Sequence, residues 1–187
     1  MGPDEQFEQL IETMKKAAAA LRDAEIPFAL GGGLAAWARG GARTEHDVDF
    51  MLKPEDAERA QKALADAGMR PERPPEEWLL KAWDGDILID LIFRPAGGEV
   101  TDHELERTDE LEVAAMRMRV LRTEDVLADK LLALQEQEPD FSDVLEIARS
   151  LREQIDWQRV RDETSSSPMA KAFLTLVEEL GVAPRAA

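Results

Sequence analysis

One run of seven residues constrains this chain more than any other stretch. Ile87-Leu88-Ile89-Asp90-Leu91-Ile92-Phe93 is apolar at every position but one. A strand with one wet face alternates polar and apolar residues, so a near-continuous apolar run reads as a central strand covered on both faces. Trp78 to Trp83 is a second β-like run, and Asp84-Gly85 between the two signals a hairpin. The lone carboxylate is the costly part. Burying an unpaired carboxylate costs several kcal/mol, roughly, so Asp90 needs a compensating cation: Arg94, Arg43 or a metal ion. The run also suits a half-exposed strand with Asp90 on its wet face.

Helical and extended segments follow one another around this run in a definite order. Residues 5–25 place Phe7, Leu10, Ile11, Met14, Ala18 and Leu21 at helical spacing. Pro27 breaks that helix, and Phe28-Ala29-Leu30 reads as a short buried strand. The glycines 31–33 follow, and Leu34 to Ala38 opens a helix. Residues 39–46 are turn-rich, and Asp47 to Leu52 begins with the alternation of a strand. Pro54 opens a helix to about Ala67, with Gly68 as its C-cap. Residues 71–76 hold three prolines and read as a loop. Residues 99–112 carry seven acids against Arg107 alone and read as a solvated segment. Met116 to Leu121 reads as an edge strand, and Thr123 as the N-cap of a helix through Leu134. Helices follow over 141–152, 156–163 and 168–180, the last capped by Ser167 with Pro168 at its first position, and 181–187 reads as frayed. The pattern is α+β: a small mixed β-sheet with flanking helices over 1–121 and a helical C-terminal subdomain over 122–187.

Composition closes several routes to function. Lys and Arg number 23 against 40 Asp and Glu, a net charge of −17 that disfavours a broad nucleic-acid surface or docking on anionic membranes. The absence of cysteine removes thiolate nucleophiles, disulfides and Cys-ligated zinc. Two histidines, His46 and His103, cannot build a multi-His metal centre. Any intrinsic metal is then expected to be a hard, oxygen-loving ion such as Mg²⁺. No stretch approaches the ~20 apolar residues of a membrane span, and the acidic N-terminus lacks an apolar signal core. A cytoplasmic protein without a membrane partner is the expectation.

Three features bear on chemistry. The glycines at 31–33 follow a strand and open a helix, where backbone N–H groups are free to meet phosphate; the same run suits a plain tight turn. Asp47-Val48-Asp49 puts two carboxylates on one face of a strand, where a divalent cation relieves their repulsion; a wet strand start is the alternative. If the Asp90 strand lies beside that one, three carboxylates converge, a set that suits two Mg²⁺ ions clamping a triphosphate.

In this order the pieces resemble the DNA polymerase β-type nucleotidyltransferase superfamily. Its motif is an apolar residue, two small residues, a gap of about nine to thirteen residues, then Asp-hydrophobic-Asp-hydrophobic. Leu30-Gly31 and Gly32-Gly33, the intervening residues 34–46, and Asp47-Val48-Asp49-Phe50 follow it, and Asp90 supplies the later lone Asp. Val120 to Leu134, then Phe141-Ser142-Asp143-Val144-Leu145, is similar to the helices of AbiEii/MenT-type nucleotidyltransferases. The likeness spans about 26–150. Two departures are visible: residues 131–142 lack an Arg often present there, and the glycine motif lacks a serine.

The resemblance implies a Mg²⁺-dependent enzyme, with two ions bridged by Asp47, Asp49 and Asp90, that moves a nucleoside monophosphate from an NTP to an acceptor hydroxyl. Asp90 is the implied general base. Gly32, Gly33, Arg43, Lys130 and Asp143 are the implied nucleotide-binding residues, with Arg39 a further cation for the triphosphate. A surface Lys130 paired with Asp129 or with acids on the Glu124 side is the structural alternative. A toxin-like role follows, with a tRNA end or a protein as acceptor and a cognate antitoxin as partner. A short basic groove from Arg39, Arg43, Lys53, Arg117 and Arg119 would serve a tRNA end. The alternatives are an aminoglycoside- or lincosamide-type enzyme acting on a small molecule, and a catalytically inactive fold used for binding.

Overall fold

The computed structural model describes residues 2–44, 47–134 and 140–185. A seven-stranded mixed sheet carries eight α-helices. In chain order these are α1 (Pro3–Asp23), β1 (Phe28–Leu30), α2 (Gly32–Ala38), β2 (Val48–Leu52), α3 (Ala57–Asp66), β3 (Arg70–Glu72), β4 (Leu79–Asp84) and β5 (Ile87–Ile92). Then come α4 (Asp102–Glu106), β6 (Asp109–Val113), β7 (Met116–Val120), α5 (Thr123–Ala133), α6 (Ser142–Leu151), α7 (Trp157–Glu163) and α8 (Pro168–Glu179). The sheet order is β3-β4-β5-β2-β1-β7-β6. The α+β expectation holds.

The apolar run forms the central strand its composition requires. β5 pairs in parallel with β2 and antiparallel with β4, and Ile89 and Leu91 are fully buried. The hairpin exists, but Asp84 pairs with Ile87, so the loop is Gly85-Asp86. Gly85 has φ +62°, the left-handed conformation that a two-residue hairpin turn takes up at its first position. One apolar core runs from Phe7, Leu10 and Met14 of α1 through Phe50 and Leu91 to Leu127 and Phe173.

Several edge elements depart from the sequence reading. The proline-rich loop begins with a strand, β3, in which Pro71 sits opposite Ala82. β3 is an edge, and an edge strand tolerates a residue that cannot donate. The acidic stretch is not simply solvated: it holds α4 and β6. Asp109 there pairs with Arg39 at 2.8 Å and Glu110 with Arg117 at 3.0 Å, which offsets the charge that argued against a strand. β6 is therefore the edge, and β7, expected there, lies between β1 and β6. Pro54–Asp56 forms a 3-10 turn before α3. Arg122 occupies the N-cap of α5 and Thr123 is its first residue, with the hydroxyl buried and unbonded. Ser167 caps α8 as read, accepting from the Ala170 N–H at 3.1 Å. Over 181–185 the tail is packed rather than frayed: Ala183 is buried, and the Arg161 guanidinium donates to the Pro184 carbonyl, while 186–187 lie outside the described residues.

Candidate active site

The parallel register of β2 and β5 makes the site. Asp49 lies directly beside Asp90, with Val48 beside Ile89 and Phe50 beside Leu91. Neighbours level in a parallel pair share a face, and Asp47 joins it two residues before Asp49. Ligand oxygens of Asp47, Asp49 and Asp90 all lie within 4.8 Å of one another. The convergence foreseen for three carboxylates is therefore met.

Their electrostatics follow from enclosure and mutual repulsion. Burial first, then the charges of Asp47 and Asp90, push the Asp49 carboxyl well above its ordinary range, with Lys130 opposing. Burial raises Asp90 to about 6, opposed by Lys81 and reinforced by Asp47. Lys81 Nζ stands 3.4 Å from Asp90 Oδ1, yet that oxygen is buried without a hydrogen bond. Lys81 beside Asp90 and Lys130 acting on Asp49 leave three close carboxylates short of positive charge. A divalent cation bound through oxygen fits both the donor type and the orphaned Asp90 oxygen.

A cation stands beside Asp90, but it is neither of the two arginines the sequence suggested. Arg94 pairs with Glu99 at 2.6 Å and Arg43 with Asp4 at 2.6 Å. Lys81 takes the place beside Asp90 because the hairpin register sets it directly opposite. The hairpin itself was legible, and counting back from a Gly85-Asp86 loop would have found Lys81.

The glycines are required by close approach. A Cβ on Gly32 would lie 1.7 Å from Asp49 Oδ2, and its φ is +55°. A Cβ on Gly33 would meet Thr44 Oγ1 at 2.6 Å. The Gly31 N–H donates to the Asp49 carbonyl at 2.9 Å, fixing the turn against β2.

A cleft of about 240 Å³ opens beside the carboxylates, lined among others by Gly33, Arg43, Thr44, Lys130, Asp143 and Glu146. Four of the five sequence-predicted nucleotide-binding residues thus share one cavity, while Gly32 packs against Asp49. Lys130 Nζ lies 3.7 Å from Asp143 Oδ2 rather than pairing with Asp129 or Glu124. Arg43 is exposed and is held by Asp4 and the Phe7 ring, whose centroid is 4.9 Å from the guanidinium carbon. Thr44 is a lining residue with no sequence signal of its own. His46 and residues 135–139 lie outside the described residues.

Residues 5–178 match the family described as uncharacterised nucleotidyltransferase. The chain belongs to this nucleotidyltransferase family. No curated protein matches the sequence. Among solved structures, this nucleotidyltransferase is similar to the antibiotic-resistance factor ANT(2'')-Ia in solution. They share 18% identity with a TM-score of 0.68, over 93% of this chain and 98% of the other. The crystal structure of ANT(2'')-Ia with adenylyl-2''-tobramycin gives 17% identity and a TM-score of 0.60, over 87% and 98% of the two chains. An antigenic nucleotidyltransferase-like protein from Paracoccidioides brasiliensis gives 13% and 0.55, over 100% and 96%. At such identities the likeness is one of fold. Among the described residues of this nucleotidyltransferase, no helix is long and apolar enough to cross a membrane.

Proposed function

We propose that this chain transfers a nucleoside monophosphate from an NTP to the hydroxyl of a small-molecule acceptor, with Asp47, Asp49 and Asp90 as its catalytic residues. The observation that carries the reading is the juxtaposition of three close carboxylates with a cleft that presents Lys130 and Arg43. Asp47, Asp49 and Asp90 would hold one or two Mg²⁺ ions, whose contribution when bound is to offset triphosphate charge and acidify the acceptor hydroxyl.

The chain's own groups supply the rest. Lys130 lies close enough for its charge to be felt at Asp49, and it would neutralise phosphate oxygens while Asp143 holds its ammonium in place. Arg43 would add a second cation once it leaves Asp4. Gly32 and Gly33 leave room for phosphate to approach the backbone. Asp90 would accept the proton of the acceptor hydroxyl. The acceptor oxygen bonds to the α-phosphorus, the bond to the bridging oxygen breaks, and pyrophosphate leaves with that electron pair. Without a metal, burial raises Asp90 to about 6, and a bound cation would draw it into the ionised form that accepts a proton.

The acceptor class rests on a separate observation. The cations expected to form a basic groove for a tRNA end are largely engaged. Arg39 binds Asp109 and the Leu121 carbonyl, Lys53 binds Glu55 and Asp102, and Arg117 binds Glu110. Phosphate-backbone binding needs free Lys and Arg, so this supports a small molecule over the toxin-like reading with a tRNA acceptor and an antitoxin. ANT(2'')-Ia, crystallised with an adenylylated tobramycin, offers a precedent for such an acceptor on this fold.

Label transfer tests the proposal. The full chain is incubated with each α-labelled NTP and Mg²⁺, with total tRNA in one arm and a panel of hydroxyl compounds in the other, beside Asp47→Ala. Asp47-dependent labelling of a small molecule is the expected result. Labelling of RNA alone would overturn the acceptor class, and no labelling in either arm would favour a non-catalytic binding role.

A further inference from the structure

A second cavity, of about 310 Å³, lies against β2 and α5. Met51, Leu105, Leu121, Ala128 and Leu132 give it an apolar wall. Its volume is at the lower end of the range for small-molecule sites. It adjoins the three carboxylates through one corner of the fold. A Cβ built on Gly31 would contact Met51 Cγ at 3.4 Å, Leu121 Cδ1 at 3.5 Å and Asp49 Cβ at 3.6 Å. The cavity wall and Asp49 therefore surround the same glycine. Met51 also follows Asp49 by two residues on β2, which places both on one face.

Five carboxylates line this cavity, and four are already engaged. Asp125 accepts from Arg107 at 2.7 Å and meets Arg159 at 3.1 Å. Glu163 meets Arg159 at 2.6 Å and Arg107 at 3.7 Å. Glu99 pairs with Arg94, and Glu104 caps α4 through Thr101. Asp129 is the exception. It is half-buried in the cavity wall and, among the described residues, has neither a hydrogen bond nor an ion pair. Consecutive residues of α5 thus line different cavities: Lys130 the phosphate cleft and Asp129 this one, both close enough to act on Asp49.

We propose that this cavity is the acceptor subsite, and that it takes a small alcohol bearing a protonated amine on an apolar body, with Asp129 pairing with the ammonium. The inference rests on the nucleotidyl-transfer reading above and deepens it. A half-buried carboxylate without a partner in a cavity wall is relieved by a cation, whereas an anionic acceptor would be repelled and a neutral one would leave the charge unpaired. The apolar wall then selects for the body that carries the amine. Burial, followed by the charges of Asp125 and Glu163, holds Asp129 near pKa 7, as expected of an acid waiting for a positive partner.

Calorimetric titration of the full chain tests this with two probes that share one hydroxyl and one ring: phenylalaninol, which is cationic, and N-acetylphenylalaninol, which is neutral. The expected result is saturable binding of phenylalaninol at or below ~1 mM, at least about tenfold tighter than its neutral counterpart. In Asp129→Asn that preference falls to about twofold or less, and in Leu132→Trp, which fills the cavity, phenylalaninol binding is lost. Equal binding of the two probes, no binding of phenylalaninol, or a preference that survives Asp129→Asn overturns the proposal. A parallel titration with MgATP separates the two levels. Saturable MgATP binding without amine discrimination sinks the subsite alone, whereas failure of MgATP to bind the wild-type chain sinks the transfer reading beneath it.

Discussion

Two clusters of acids sit within this fold and solve the same problem in opposite ways. Asp125 and Glu163 are interleaved with Arg107 and Arg159, so each carboxylate touches two guanidinium groups and the set is internally balanced. Asp47, Asp49 and Asp90 also converge, yet among the described residues their one ion pair is Lys81 with Asp90 at 3.4 Å, with Lys130 acting on Asp49 from farther off. A balanced network fastens α7 and the Arg107 loop to α5. Burial raises Asp125 to about 6 as it does Asp90, and each cluster leaves buried polar atoms unbonded; what differs is the count of cations, and a fold carries a shortage of them where a ligand supplies the missing charge. Charge accounting within a cluster thus separates a structural group of acids from a reactive one, where residue type alone does not.

Substitutions should break that contrast in graded steps. The largest effect is expected at Asp90. Asp90→Asn keeps the shape but removes the base and a cation ligand, and label transfer should fall by about 10³-fold or more with the fold intact by circular dichroism. Next, Arg107→Met leaves Asp125 and Glu163 with one cation between them. Urea denaturation should show a loss of about 2–3 kcal/mol, while Asp49→Asn, which relieves repulsion, should cost nothing or stabilise the metal-free chain.

The third prediction concerns Asp129, whose pKa of about 7 is raised above the value near 4 of an unfolded chain. The folded chain holds that proton more tightly than the unfolded one, so the contribution is full below pH ~4 and is lost as pH rises to ~7. Relative to wild type, Asp129→Asn should therefore gain about 1–2 kcal/mol at pH 8, a gain that disappears by pH 4. Melts across that window measure it, and a difference independent of pH would contradict the assigned cause. The smallest effect is expected at the exposed Arg43–Asp4 pair. Asp4→Ala should change stability by less than about 0.5 kcal/mol, in contrast to the Arg107 network.

The sequence made the centre of this molecule legible and its edges less so. Ile87 to Phe93 and Asp47 to Leu52 announce strands through apolar density and alternation, and the lone Asp90 marks where the two must meet. Lys130 and Asp143 were found by likeness of pattern, and one cleft brings them together with Gly33 and Arg43. Lys81 escaped because its role depends on cross-strand register, a pairing nine residues apart that no local pattern states. β6 was hidden by its own acids, whose partner Arg39 lies 70 residues away in sequence. Asp129 looked like one more acid on an acidic helix. Only the three-dimensional pairing of Asp125, Glu99, Glu104 and Glu163 with other groups reveals that, among the described acids of that cavity, Asp129 is the unpaired one.

The central claim is that the unbalanced carboxylates are completed by a divalent cation together with a triphosphate. Thermal melts with Mg²⁺ alone, NTP alone and both together test it most directly, on the wild-type chain and on the Asp47→Ala, Asp49→Ala double variant. Ligand at about a hundred times its Kd should raise the wild-type midpoint by roughly 5–10 °C only when both are present, and the double variant should not respond. A wild-type midpoint indifferent to Mg²⁺ and NTP, or a rise that persists without Asp47 and Asp49, would contradict the account.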